Sequence, residues 1–240
     1  MNLTDFRVLS FDCYGTLIDW ETGITEGLRP LVTGSSKQLQ RDEVLQSYSR
    51  HEAAVEEETP TMPYPEVLKT VYNRLARDWN IETRKGEAEA FASSIQTWPA
   101  FADSPSALQY LKKHYKLVIL SNVDRESFKT SNTKLEVDFD YIFTAQDIGS
   151  YKPDPRNFEY LIEKLGKAGY EKNSILHTAQ SLFHDHRPAN RFGLASAWID
   201  RRHEQTGFGA TPAPAALPRY DFRFTSLGEM AEAHRRSVSS

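Results

Sequence analysis

The sequence predicts an α/β fold: a Rossmann-like parallel sheet with a helical segment inserted after its first strand. Three observations carry this. Short β-branched or apolar runs recur along the chain, and from the second onward helical patterns separate them. The stretch between the first run and the second is helical throughout. Residues able to do chemistry stand just beyond the ends of several runs, where a parallel sheet would gather them on one edge.

The strands are expected at "FRVLSF" (6–11), "KLVILS" (116–121), "YIFTA" (141–145), "SILHTA" (174–179) and "ASAWID" (195–200), with "DFRFTS" (221–226) as a weaker sixth. Asp154-Pro155 has the form of an N-cap followed by proline at the first helical position. Behind it Phe158, Leu161, Ile162 and Leu165 recur at helical spacing, and Gly166 or Gly169 offers a stop. "DSPSALQYLKK" (103–113) repeats that grammar with Ser104-Pro105, and "RPANRFG" (187–193) is a shorter helix ending at Gly193. Between 20 and 96, "PEVLKTVYNRLARDW" carries one apolar stripe from Val67 to Trp79. "RDEVLQSYSRHEAAVEEE" places Val44, Tyr48 and Val55 on a face rimmed by charge. The expected division is therefore a core of residues 1–18 and 97–240 with a helical cap of 19–96. A segment inserted there lies at the C-terminal edge of the sheet, where α/β ligand sites form. The Gly/Pro/Ala-rich stretch 203–219 is expected to be a surface loop without chemistry.

With 26% charged and 39% hydrophobic residues, the chain has the composition of a globular domain. A net charge of −4 gives no electrostatic footprint for nucleic acid or an anionic membrane, and no apolar run is long enough to span a bilayer. The lone cysteine, Cys13, excludes an internal disulfide and is expected to be a small packing residue. "MNLTDFRVLS" lacks a signal pattern, so a cytoplasmic location is expected. His177, His184 and His186 lack the ligand spacing of a metal site.

Four segments at strand ends carry the chemistry: Asp12 to Thr16 ("DCYGT"), Ser121-Asn122, Lys152 ("GSYKPDP") and Asp185 ("AQSLFHD"). Each alone also reads as a turn former, cap or loop. Together they supply one carboxylate, a hydroxyl and amide, an ammonium and a second carboxylate. In this order they resemble the haloacid dehalogenase superfamily, and "DCYGTL" resembles the first motif of its type II L-2-haloacid dehalogenases. The resemblance covers about 5–18 and 100–230; the cap matches in position and helical character.

That resemblance implies a hydrolase that opens the carbon–halogen bond of a small 2-haloacid through an aspartyl ester. Asp12 is the implied nucleophile, Thr16 and Ser121 would orient it, Lys152 would keep it ionised, and Asp185 would place water. Tyr14, Asn122, Arg50 and Ser181 are the implied substrate contacts, with Arg50 receiving the halide. The alternative is a phosphohydrolase of the same superfamily. Those enzymes use a second acid two residues after the nucleophile, an acid five before the last aspartate, and Mg²⁺. Here the two positions hold Tyr14 and Gln180, so no cofactor or metal is implied unless the alternative holds. Leu182, where an Asn is usual, and Phe158, where a Tyr is usual, depart from the dehalogenase pattern. The partner expected is a small-molecule substrate, with a homodimer allowed.

Overall fold

The computed structural model describes residues 1–35 and 38–239; residues 36, 37 and 240 of the expected segments lie outside the described residues. In chain order the elements are β1 (Val8–Phe11), α1 (Trp20–Gly27), α2 (Arg29–Gly34), α3 (Arg41–Glu58), α4 (Tyr64–Asp78), α5 (Glu87–Ser93) and α6 (Ser104–Leu111). Then follow β2 (Lys116–Ser121), α7 (Arg125–Asn132), β3 (Tyr141–Thr144), α8 (Ala145–Ile148), α9 (Pro155–Lys167) and β4 (Ile175–Ala179). A π-helical turn (Leu182–His186), α10 (Arg187–Phe192), β5 (Ala195–Ile199), β6 (Phe222–Phe224) and α11 (Leu227–Val238) complete the fold.

The strands form one sheet in the order β3-β2-β1-β4-β5-β6, and every neighbouring pair is parallel. This is the α/β architecture expected, with all six runs present as strands. Alternation along the strands divides the core between two faces. Leu9, Phe11, Leu117, Ile119, Leu176, Ala197 and Ile199 pack with Ala107, Leu108 and Leu111 of α6 and Leu227 and Met230 of α11. On the other face Val8, Val118, Leu120 and Ile175 pack with Phe158, Leu161 and Leu165 of α9 and Ala189 of α10.

Local signals account for most boundaries. The Asp154 carboxylate accepts the Arg156 amide at 2.9 Å, capping α9 ahead of Pro155. Gly193, at φ +64°, ends α10. Ser104 is not the cap its sequence suggests. The helix begins on it, and its hydroxyl donates instead to the Leu17 carbonyl at 2.9 Å, tying α6 to the loop after β1.

Between β1 and β2 the described residues form helices and short turns, and the buried stripe of α4 continues into the same cluster as α1, α3 and α5. Trp98 closes this segment against the turn after β1: it is 1% exposed and stands edge-on to Tyr14 at 5.7 Å. Gly23 of α1 permits that approach, because a Cβ there would lie 2.2 Å from the Trp98 ring. Gly23→Ala therefore overpacks the junction and should cost roughly 1–3 kcal/mol. Urea unfolding of the variant measures this; an unchanged midpoint would show that Trp98 repacks freely.

Candidate active site

β1 is the strand at which the sheet order reverses, with β2 on one side and β4 on the other. Open α/β sheets form their ligand crevice at that switch point, beyond the C-terminal strand ends. Asp12 follows β1 directly, and its amide donates to the Thr178 carbonyl of β4 at 3.1 Å. The chain then turns back within residues 13–18, the amides of Leu17 and Ile18 both donating to the Cys13 carbonyl at 2.7 and 3.0 Å. Gly15 takes φ +89° in this turn, and a Cβ on it would meet the Trp20 indole nitrogen at 2.8 Å. Only glycine suits both the backbone and the space. Arg201 braces the turn, donating to the Thr16 carbonyl at 3.1 and 2.9 Å and to Asp103 at 2.7 Å.

At the centre stands the Lys152 ammonium, 1% exposed. It donates to Asp12 Oδ1 at 2.9 Å, Asp185 Oδ1 at 2.7 Å and the Leu120 carbonyl at 2.9 Å. Those three contacts engage all three of its N–H bonds. Thr16 Oγ1 donates to Asp12 Oδ2 at 2.9 Å and accepts the Gln180 amide at 2.9 Å. Asn122 holds the lysine's backbone: its Oδ1 accepts the Lys152 amide at 2.7 Å, and its Nδ2 donates to the Lys152 carbonyl at 2.9 Å. His177 supports Asp185 from β4, with Nε2 2.9 Å from Asp185 Oδ1 and Nδ1 2.9 Å from Ser10 Oγ.

The two aspartates titrate in opposite directions. Burial dominates at Asp12 and raises it above the usual carboxylate value, although Lys152 pulls the other way. Burial pushes Asp185 upward too, but the Lys152 charge and the His177 hydrogen bond override it and hold the group well below its usual value. Burial lowers the lysine, yet the two facing carboxylates leave it raised and therefore charged.

The crevice above this triad is lined by Asp12, Tyr14, Trp20, Glu52, Glu56, Tyr64, Ser121, Asn122, Lys152, Ser181, His184, Asp185 and Thr211. The structure thus brings together Asp12, Thr16, Lys152, Asp185, Asn122, Tyr14, Ser121 and Ser181. Several differ in detail from expectation. Ser121 does not hydrogen-bond Asp12: its buried hydroxyl has no protein partner. Tyr14 offers the pocket its ring, while its hydroxyl lies 2.8 Å from Ser131 Oγ. Ser181 Oγ caps the π-helical turn by accepting the His184 amide at 2.9 Å. Phe158 lies in the core, edge-on to His177 at 5.0 Å, and Leu182 lines a separate groove beside Trp198.

Arg50 is a correction. It lies on the exposed face of α3, paired with Asp78 at 3.2 Å, and does not line the crevice. Two residues along a helix amount to about 200° of rotation, which turns Arg50 away from the side that Glu52 presents to the pocket. The loop 203–219, given no chemistry from its composition, contributes Thr211.

Glu52 and Glu56 were missed as well. The buried residues of α3 are Val44, Leu45, Tyr48, Ser49, Glu52, Val55 and Glu56, so both acids sit within the apolar stripe rather than on its rim. Acids on a buried stripe were the available signal. His184, considered from the sequence only as a metal ligand, instead lines the crevice with an unpartnered buried Nε2. Burial lowers it to about 4, so it is neutral near pH 7.

The family model for haloacid dehalogenase-like hydrolases matches residues 6–174. The chain belongs to that family. Among its relatives is (S)-2-haloacid dehalogenase 4A of Burkholderia cepacia, 26% identical over 205 residues, spanning 82% of this chain and 84% of that one. The (S)-2-haloacid dehalogenase of Pseudomonas sp. (strain YL) is 26% identical over 243 residues, covering 93% and 92%. The fold is similar to that of the L-2-haloacid dehalogenase of Xanthobacter autotrophicus, with a TM-score of 0.75, 17% identity, and 96% and 98% of the two chains covered. It is also similar to YfnB of Bacillus subtilis, a putative HAD-hydrolase bound to magnesium, with a TM-score of 0.73, 19% identity, and 95% and 97% covered.

Members of this family that use Mg²⁺ need a cluster of hard oxygen donors. Here Lys152 holds both Asp12 and Asp185, the Tyr14 hydroxyl is turned to Ser131, and the Gln180 side-chain oxygen lies 3.4 Å from Thr211 Oγ1. Among the described residues no three His, Cys, Asp or Glu side chains are grouped to hold a metal ion. The donor set does not fit a divalent cation.

Lys152→Met removes the charge that pulls Asp12 downward, so Asp12 should titrate higher in the variant. Carboxyl ¹³C NMR titration of Asp12 measures this, and an unmoved titration would contradict the pairing. Removing one partner of a buried ion pair should also destabilise the fold by about 3–5 kcal/mol.

Proposed function

We propose that this haloacid dehalogenase-like hydrolase opens the carbon–halogen bond of a small 2-haloacid, with Asp12 as nucleophile. The observation that carries the reading is a single nucleophilic carboxylate, held by Lys152 and Thr16, with Tyr14 where a second acid would stand. A halide leaves without protonation, so the reaction has no need of that acid. It has no phosphoryl oxygens for a metal to bridge, and no cofactor is invoked. Phosphohydrolysis is the weaker reading because the leaving alkoxide would lack the usual acid and the phosphate its metal.

In the first step an Asp12 carboxylate oxygen attacks the halogen-bearing carbon. A carbon–oxygen bond forms as the carbon–halogen bond breaks, and halide departs with the bonding pair. Water then adds to the Asp12 carbonyl carbon. The acyl–oxygen bond of the ester breaks, the hydroxy product leaves with one water proton, and the carboxylate re-forms as the second proton is released. Asp185 has an Oδ2 atom without a protein partner and is the group we assign to orienting that water. Lys152 remains beside Asp12 and stabilises negative charge developing on its acyl oxygens. The one cysteine, Cys13, is buried and free, which suits a reducing, cytosolic setting.

Asp12→Asn should abolish halide release, because an amide cannot form the ester. In ¹⁸O-water a single turnover should place the label in Asp12 and leave the product unlabelled; mass spectrometry of the Asp12 peptide reads this. Label found only in the product would mean direct attack by water and would overturn the covalent scheme. Halide release should be indifferent to chelator, and a chelator-sensitive rate restored by Mg²⁺ would favour the phosphohydrolase.

A further inference from the structure

The helical wall of the crevice brings no cation to a leaving halide. There α3 presents Glu52 and Glu56, while Arg50 on the same helix faces outward to Asp78. Lys152 is the one Lys or Arg among the lining residues, and its three N–H bonds are engaged. The Asn122 amide is committed as well, donating to the Lys152 carbonyl at 2.9 Å and to Glu56 Oε2 at 3.2 Å. Beside the Asp185 oxygen, two buried side-chain atoms of the lining residues have no protein partner: Ser121 Oγ and His184 Nε2. Ser121 ends β2 and His184 lies just beyond β4, so they come from the two strands that flank β1 and Asp12.

The ring proton of His184 is assigned from its neighbour. Ser181 Oγ accepts the His184 amide at 2.9 Å and lies 3.3 Å from His184 Nδ1. The hydroxyl's own proton then has Nδ1 as its acceptor, which places the ring hydrogen on Nε2. Burial lowers the ring to about 4, so Nε2–H is a neutral donor near pH 7. His184 is 8% exposed and is held by the π-helical turn at the junction of two spaces. One is the crevice, with about 30 Å³ free beside Asp12. The other is an adjoining cavity of about 370 Å³ that shares Glu56, Lys152 and His184 with it. Ser121 lines only the first.

We infer that His184 Nε2–H receives the departing halide, the role that Arg50 does not fill, and that the adjoining cavity is the halide's way out. This rests on the dehalogenation reading and assigns its leaving-group site. As the Asp12 oxygen bonds to carbon, the halide takes the bonding pair and accepts the Nε2–H hydrogen bond; the proton stays on the ring. Carboxylate and halogen are separate substituents of one carbon, and the two free donors serve one each. The Ser121 hydroxyl is left for the carboxylate within the crevice, and His184 takes the halide at the junction with the larger space. A neutral donor stabilises the growing charge in the transition state. It does so without forming a buried ion pair that each turnover would have to break.

Histidine ¹⁵N NMR of the full chain tests the site in the parent protein, with the His184 signals assigned by their loss in His184→Gln. A protonated Nε2 that shifts as sodium chloride is added is the expected result. An unprotonated Nε2, or one that chloride leaves unmoved, would overturn the inference. A signal moved by sodium propionate and not by chloride would give His184 to the carboxylate and overturn the halide assignment. Kinetics then separate a donor from a ring that merely packs. His184→Phe keeps a ring and loses the N–H. It should lower kcat/KM for 2-chloropropionate by roughly 10- to 100-fold, the worth of one hydrogen bond to a charged group. The loss with 2-bromopropionate should be smaller, because bromide leaves more readily and accepts hydrogen bonds more weakly. His184→Gln restores an N–H and should recover part of the rate and the parent's ratio between the two substrates. Equal losses with both substrates in His184→Phe, or no loss, would mark a packing role and overturn the inference. A chloride-responsive Nε2–H in a parent that releases halide from neither substrate would leave the halide site standing and overturn dehalogenation instead.

Discussion

One buried ammonium organises this molecule's chemistry. Lys152 lies between two carboxylates that follow β1 and β4 and against a carbonyl of β2, so three chain segments meet on one nitrogen. Each charge would be prohibitively placed without the others, since a lone buried ion is far costlier than a paired one. The geometry also divides the labour of the aspartates. His177 and Lys152 together hold Asp185 firmly ionised, whereas Asp12 has a weaker set of partners and the raised affinity for protons that burial imposes. A carboxylate that is less comfortable as an anion is a better candidate for forming a bond.

Around this centre the supports are arranged in depth. Ser10 positions His177, which positions Asp185; Arg201 fixes the turn that carries Thr16, which fixes Asp12. Asn122 grips both backbone groups of Lys152. These are polar contacts in a dry interior, where satisfied networks hold side chains to one arrangement. Rigid placement of this kind is what lets a nucleophile meet its target carbon without a large reorganisation.

The sheet and the groups at its strand ends were legible in the sequence because their signals are local. A buried strand is a short apolar run, and the residue after it points to the C-terminal edge whatever the rest of the chain does. Asp12 could therefore be gathered from its position alone, whereas Lys152, eight residues beyond β3, and Asp185, six beyond β4, were gathered from the order of their segments as well. Helical rotation decided the wall, and there the reading failed. Glu52 and Glu56 looked like surface charge because acids usually are, while Arg50 looked available although its side of α3 faces outward to Asp78. Thr211 was illegible for another reason. A Gly/Pro-rich loop has no period, and what brings it to the crevice is a set of long-range contacts, among them the Ala210 amide on Glu21 at 3.1 Å.

The contact between Glu56 and Asn122 joins the two halves of the crevice, one residue from the helical segment and one from the sheet. Asn122 is also the residue that fixes the lysine's backbone. Any separation of α3 from the strand ends must therefore stretch the bond to the amide that steadies the central cation. Asn122 thus ties a carboxyl group of the helical segment to the backbone of the residue that carries the central cation.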